Sequence, residues 1–244
     1  MVHEKKISRE EFQSPERPVV WAINPAVLRL GYYSAMIACI AAAGYSAAQL
    51  LQVAGVLAFP VDAFLIFGFS ICISVPYVMA VIAVHHTTSR ERNIWSHIAI
   101  AFAIMYATYV NLNYVVQLAT VVPRSLAGTL DDVKVLDQTP HSLFWDVDGL
   151  GYICMGISTF FLAFAFPAGE SRKWLRRFLI ANGLVVPLIS AVYFYPHFSI
   201  ALLLMGSPWI ITTCGSLLLL AISFRKELMN GVKVVRGRKL TTGN

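Results

Sequence analysis

Long apolar runs separated by short polar ones dominate this chain from residue 26 to residue 223. Crossing a hydrocarbon core takes about 20 residues at the helical rise. Six runs meet that length, and they predict membrane-spanning helices at 26–52, 61–84, 95–121, 143–166, 175–195 and 199–223. The first is expected to start at Asn24-Pro25, where the Asn side chain can cap free amides and Pro takes the first helical position at no hydrogen-bond cost. The connections are short except for 122–142, a segment long enough to fold over one mouth of the bundle or to serve as a plain solvated link.

The expected architecture is therefore an all-α integral membrane protein, one six-transmembrane-helix bundle over residues 1–244. Residues 1–25 form a cytoplasmic or interfacial segment ahead of it, and 224–244 a basic cytoplasmic tail.

Composition excludes the alternative of a soluble globule. Apolar residues make up 57% and charged ones 13% of the chain, against about 45–50% and about 25% in ordinary soluble domains. Charge then sets a direction. Of the 19 Lys and Arg, all but Arg124 and Lys134 fall on one side of the predicted spans, and basic residues are retained in the cytoplasm during insertion. Both termini are thus expected inside. The acids divide as well: every Glu lies on the basic side, while Asp62, Asp131, Asp132, Asp137, Asp146 and Asp148 all lie on the other. The net charge of +6 is expected to reflect topology and attraction to lipid headgroups, not a nucleic-acid surface.

Several chemistries drop out on residue grounds. Cys39, Cys72, Cys154 and Cys214 all fall inside spans, with no zinc spacing among them. No Lys lies deep in a span to carry a retinal Schiff base, and no His lies mid-membrane to hold haem. Phosphate-binding loops, nucleophile elbows and HExxH are absent from the sequence. His85, His86 and His97 gather at the basic ends of the second and third spans, where they read as an interfacial cluster. No cofactor and no metal are expected.

Polar residues inside spans are costly in hydrocarbon and usually face a bundle interior. At 100 degrees per residue, Tyr106, Tyr109, Asn113, Gln117 and Thr120 fall within about 80 degrees of one another, one stripe along the third span. Asp148, Tyr152, Met155 and Thr159 fall within about 60 degrees on the fourth. With Asp146, Tyr45, Gln49, Asp62, Tyr193 and Tyr195 they predict a negatively charged vestibule open to the outside. Binding is assigned to Asn113, Gln117, Tyr109, Tyr106, Asp146, Asp148 and Tyr152. Arg124, two turns beyond Gln117, is a rival partner for Asp148 as a structural ion pair, and helix-to-helix hydrogen bonding is the competing role for the amides.

Val75-Pro76-x-x-x-Ala80-Val81 and Val186-Pro187-x-x-x-Ala191-Val192 place prolines in the middle helices of two three-span halves, so Pro76 and Pro187 are candidate hinges and a 3+3 inverted repeat is one expected arrangement. The leading functional reading is binding or passage of a small solute or cation, with membrane lipids and further copies of the chain as other partners. A membrane enzyme or binding protein for an apolar ligand, and a sensor or accessory subunit, are the alternatives.

Overall fold

The computed structural model describes residues 24–241, with side chains up to Asn230 apart from Ser171. The expected interfacial segment ahead of Asn24 and the side chains of most of the basic tail lie outside the described residues. Among the described residues the fold is all-helical, with 85% helix and no strands. Helices α1 (Pro25–Val53), α2 (Val61–Thr87) and α3 (Asn93–Val116) come first. The third continues through a π-turn at Gln117–Val121 into α4 (Val122–Leu126). After a 3-10 stretch at Leu130–Leu136 follow α5 (Leu143–Ala165), α6 (Lys173–Leu184), α7 (Val186–Phe194), α8 (Ile200–Met205) and α9 (Pro208–Thr241). Six helical stretches are long and apolar enough to cross a membrane. That supports a multi-pass membrane protein.

Local chemistry explains where these helices start and break. The Asn24 side chain accepts from the Ala26 amide at 2.9 Å, and Ser142 and Ser199 accept from the Trp145 and Leu202 amides at the starts of α5 and α8. The fifth span is two pieces joined at Val185, with Pro187 in the first turn of α7. Pro208 opens α9 directly after Gly206 and Ser207. By contrast α2 runs unbroken through Pro76.

The helices close into a ring in which α1, α2, α3, α5, the α6–α7 pair and α9 each pack on the next, and α9 returns to α1. Lipid tails are as apolar as Leu, so helices in a membrane associate through close packing of small residues and through hydrogen bonds. Both devices are present. The buried face of α1 is Gly31, Ser34, Ala35, Ala38, Ala42 and Ser46. Ser158 of α5 accepts from the Tyr77 hydroxyl at 2.8 Å and donates to the Ala99 carbonyl at 2.7 Å, tying α2, α5 and α3. Asn182 donates to Thr159 at 3.0 Å and accepts from Thr212 and Thr213, tying α6 to α5 and α9. Tyr77, Tyr106, Met155 and Leu162 fill the centre of the ring, while Ile37, Ile40, Leu112, Ile211 and Leu218 face outward.

Candidate functional site

The six Asp of the chain gather at one end of this ring, hereafter the aspartate end, and Asp148 alone among them is buried, at 3% exposure. A buried carboxylate is costly unless donors satisfy it. The second turn of α5 carries Asp148 to a level where α3, α7 and the loop before α5 supply those donors. Tyr114 donates to Oδ1 at 2.6 Å, and Tyr193 donates to Oδ2 at 2.6 Å. The Gln138 amide donates to Oδ2 at 3.0 Å. Tyr114 and Tyr152 hydroxyls lie 3.3 Å apart.

Gln138 comes from the long connection, which folds over the aspartate end and inserts this one side chain between α3 and α5. Two backbone groups fix the direction of the amides it meets. The Gln138 N–H donates to Gln117 Oε1 at 3.2 Å, and Gln117 Nε2 donates to the Leu136 carbonyl at 2.7 Å. Gln117 Nε2 also leans on Asn113 Oδ1 at 3.4 Å, leaving Asn113 Nδ2 to donate to Gln138 Oε1 at 2.9 Å. Gln138 Nε2 is then the only group of that amide free to face Asp148. Asn113 Nδ2 and Gln138 Nε2 thus donate in sequence towards the carboxylate.

The π-turn presents Gln117 to this loop. Pro123 lacks an N–H, and its ring would meet the carbonyl four residues back in a regular helix. The wider turn over Gln117–Val121 accommodates it, and π-turns often mark functional positions. Tyr193 is seated by a gap on α5: a Cβ on Gly149 would lie 2.6 Å from its Cγ. Trp145, one turn earlier on the same face of α5, packs on it, with rings 4.7 Å apart and Trp145 Nε1 donating to the Tyr193 carbonyl at 3.3 Å.

Tyr152 and Tyr193 also form one wall of a pocket between α1, α5, α7 and the α8–α9 junction. About 640 Å³ of empty space lies within it, open solvent included, and Val53, Leu203 and Leu204 line it towards the aspartate end. Tyr45, Tyr152 and Trp209 form its deepest part. Trp209 meets Tyr45 and Tyr152 edge to face, with ring centroids at 5.6 and 5.0 Å. Trp209 is 4% exposed and its Nε1 has no hydrogen-bond partner. Beneath, Met155, Tyr77 and Leu162 are fully buried and line a separate, smaller void; the two share no lining residue, so the pocket is blind.

The expected site residues divide between these features and others. Asn113, Gln117, Asp148 and Tyr152 come together. Tyr106 is buried against Tyr77, with ring centroids 5.6 Å apart, and Tyr109 is half-buried on the flank of α3. Asp146 is exposed in the first turn of α5. Asp62 accepts from Gln52 at 2.7 Å, and Gln49 donates to Gln52. Tyr195 is exposed beyond α7. Gln138, Tyr114 and Trp209 were not singled out by the sequence. Among the described residues no group of three or more His, Cys, Asp or Glu is placed to hold a metal. His85 pairs with Ser96 at 2.9 Å and packs on His97.

Arg124 does not reach Asp148. It approaches Asp132 at 4.0 Å, with the two side chains 53% and 70% exposed. A pair that exposed contributes about 0–1 kcal/mol at most. Arg124→Gln is accordingly expected to shift stability by less than about 0.5 kcal/mol, checked by thermal unfolding in detergent. A loss of several kcal/mol would put Arg124 back in the core of the site.

Compared with protein families, curated proteins and solved structures, the chain matches none.

Proposed function

We propose that this multi-pass membrane protein, with both termini in the cytoplasm, receives a small solute from the outer side into the blind pocket of the aspartate end. The observation that carries this reading is the pocket itself: residues of the aspartate end line it, part of its wall is aromatic, and Tyr193 of that wall donates to a buried carboxylate. A floor of buried side chains between this pocket and the void beneath it favours binding over open conduction. Passage further inward would require a second state, and the fold offers a place for one. Ile189, Val192 and Tyr193 of α7 line the pocket, and α7 joins α6 through the Val185 break beside Pro187. Pro187 is the better-placed hinge of the two expected prolines, since Pro76 lies within continuous α2 and off the pocket. The Gln138 latch joins the covering loop to the same carboxylate, so loop and pocket share one network.

The orientation rests on the distribution of Lys and Arg. Accessibility tests it together with the pocket. In a version with the four native cysteines replaced by Ala, Ser207→Cys at the pocket mouth and Thr129→Cys on the covering loop should both react with an impermeant thiol reagent added to intact cells. Ser89→Cys, between α2 and α3, should not. Reaction at position 89 from outside would reverse the orientation. Reaction at 129 without reaction at 207 would close the pocket to the outer side and remove the proposed entry.

A further inference from the structure

Taking the pocket as a solute site, the next question is which solutes its walls favour. Its lining holds no charged side chain. The formal charge nearest its aromatic wall is that of Asp148, whose donors Tyr114, Tyr193 and Gln138 are all neutral. Among the described residues no Lys, Arg or His forms an ion pair with it. The amide chain ends on Oδ2 and the Tyr114 hydroxyl on Oδ1, so donors meet both carboxylate oxygens, an arrangement that suits the ionised form. The negative charge is thereby satisfied by hydrogen bonds but not neutralised, and in a site of low dielectric its field reaches through the Tyr152–Tyr193 wall.

We infer that the solute is an organic cation with an apolar body, of the quaternary-ammonium class, held against the rings of Tyr45, Tyr152 and Trp209 with the Asp148 charge behind them. Aromatic faces attract such cations within about 6 Å of a ring centroid. Trp209 meets both tyrosines at 82°, so the rings form walls at right angles and not one flat stack. The remaining lining is mostly Leu, Val and Ile, matched to an apolar body. A primary ammonium would need acceptors for its N–H groups, and the lining supplies few. A quaternary ion needs none. An anion would meet the same field with the opposite sign. At the aspartate end as a whole, Asp62, Asp131, Asp132, Asp137 and Asp146 outnumber Arg124 and Lys134, which draws cations to that end.

The test compares charge at constant shape. With the full chain in dodecyl maltoside, binding of phenyltrimethylammonium, of its neutral isostere tert-butylbenzene, and of benzenesulfonate is followed by quenching of tryptophan fluorescence and by thermal stabilisation. Wild type should bind the cation at least about tenfold tighter than the isostere and the sulfonate more weakly than either. Asp148→Asn should equalise cation and isostere while leaving the isostere's affinity unchanged. Val53→Lys at the mouth leaves the Asp148 network intact, so it serves even if the first variant does not fold. It should weaken the cation about tenfold and spare the isostere. Trp209→Leu should weaken both. Equal binding of cation and isostere by wild type, or a preference that survives both charge changes, overturns the cation inference and keeps the pocket. Failure of wild type to bind cation and isostere alike, or binding unaffected by Trp209→Leu, overturns the pocket reading with it.

Discussion

Leucine in place of Asp148 is expected to destabilise the folded chain by about 3 kcal/mol or more, because it strands buried donors that each cost about 1–3 kcal/mol when unmatched. Asparagine should cost only about 1 kcal/mol. The difference follows from the geometry. With its oxygen at the Oδ2 position, asparagine still accepts from Tyr193 and Gln138. Its NH2 then donates to the Tyr114 hydroxyl, which can turn its own proton to Tyr152 at 3.3 Å. Leucine offers nothing to any of the three donors. The comparison is read from unfolding midpoints of the two variants in the same detergent. Equal midpoints for leucine and wild type would show that the donors find other acceptors and that the carboxylate does not organise this end of the bundle.

Gly149→Ala should have the next largest effect. The added Cβ would lie 2.6 Å from Tyr193 Cγ, 2.8 Å from Cδ1 and 2.9 Å from Cβ. These atoms lie at the root of the side chain, so no rotation of a flexible tip clears them. The ring must leave its seat, and the bond to Asp148 goes with it. Overpacking costs about 1–3 kcal/mol, and loss of a hydrogen bond to a charged group about 1.5–3 kcal/mol. Tyr193→Phe removes only the second of these and should be milder. Truncation relieves the clash, so Gly149→Ala combined with Tyr193→Ala should be more stable than the sum of the single losses implies, a coupling measurable in a double-mutant cycle. Strict additivity would mean that Gly149 and Tyr193 do not contact one another as described.

The spans were legible because length and hydropathy alone define them, and the start at Asn24-Pro25 because capping is local chemistry. Asn113, Gln117, Asp148 and Tyr152 could be grouped because each lies on a regular helical stripe and α3 packs on α5. What escaped depended on non-local or irregular geometry. Gln138 lies in a loop with no periodicity, and only the fold brings it to Asp148. Tyr114 fell on a flanking face by helical arithmetic, yet α3 lies between α2 and α5. Its ring stacks on Phe67 of α2 at 5.3 Å while its hydroxyl reaches Asp148. The rival pairing of Arg124 with Asp148 assumed regular turns beyond Gln117, whereas the π-turn shifts the register before α4 begins. Asp146 could have been set aside from the sequence itself. Two residues on a helix stand about 200 degrees apart, so it and Asp148 face opposite ways.

The closed ring bears on how the protein is made. The face of α1 that receives Phe224 at Gly31 enters the membrane with the first span, and its partner arrives only with the last. Through nearly all of synthesis that strip of Gly, Ser and Ala is an open seam, available to other transmembrane segments, to lipid or to an insertion factor. Chains arrested before α9 would keep the seam open, and the pocket would lack Trp209. Completion of the pocket and closure of the ring therefore coincide at the final step of assembly, which gives quality control one event to monitor.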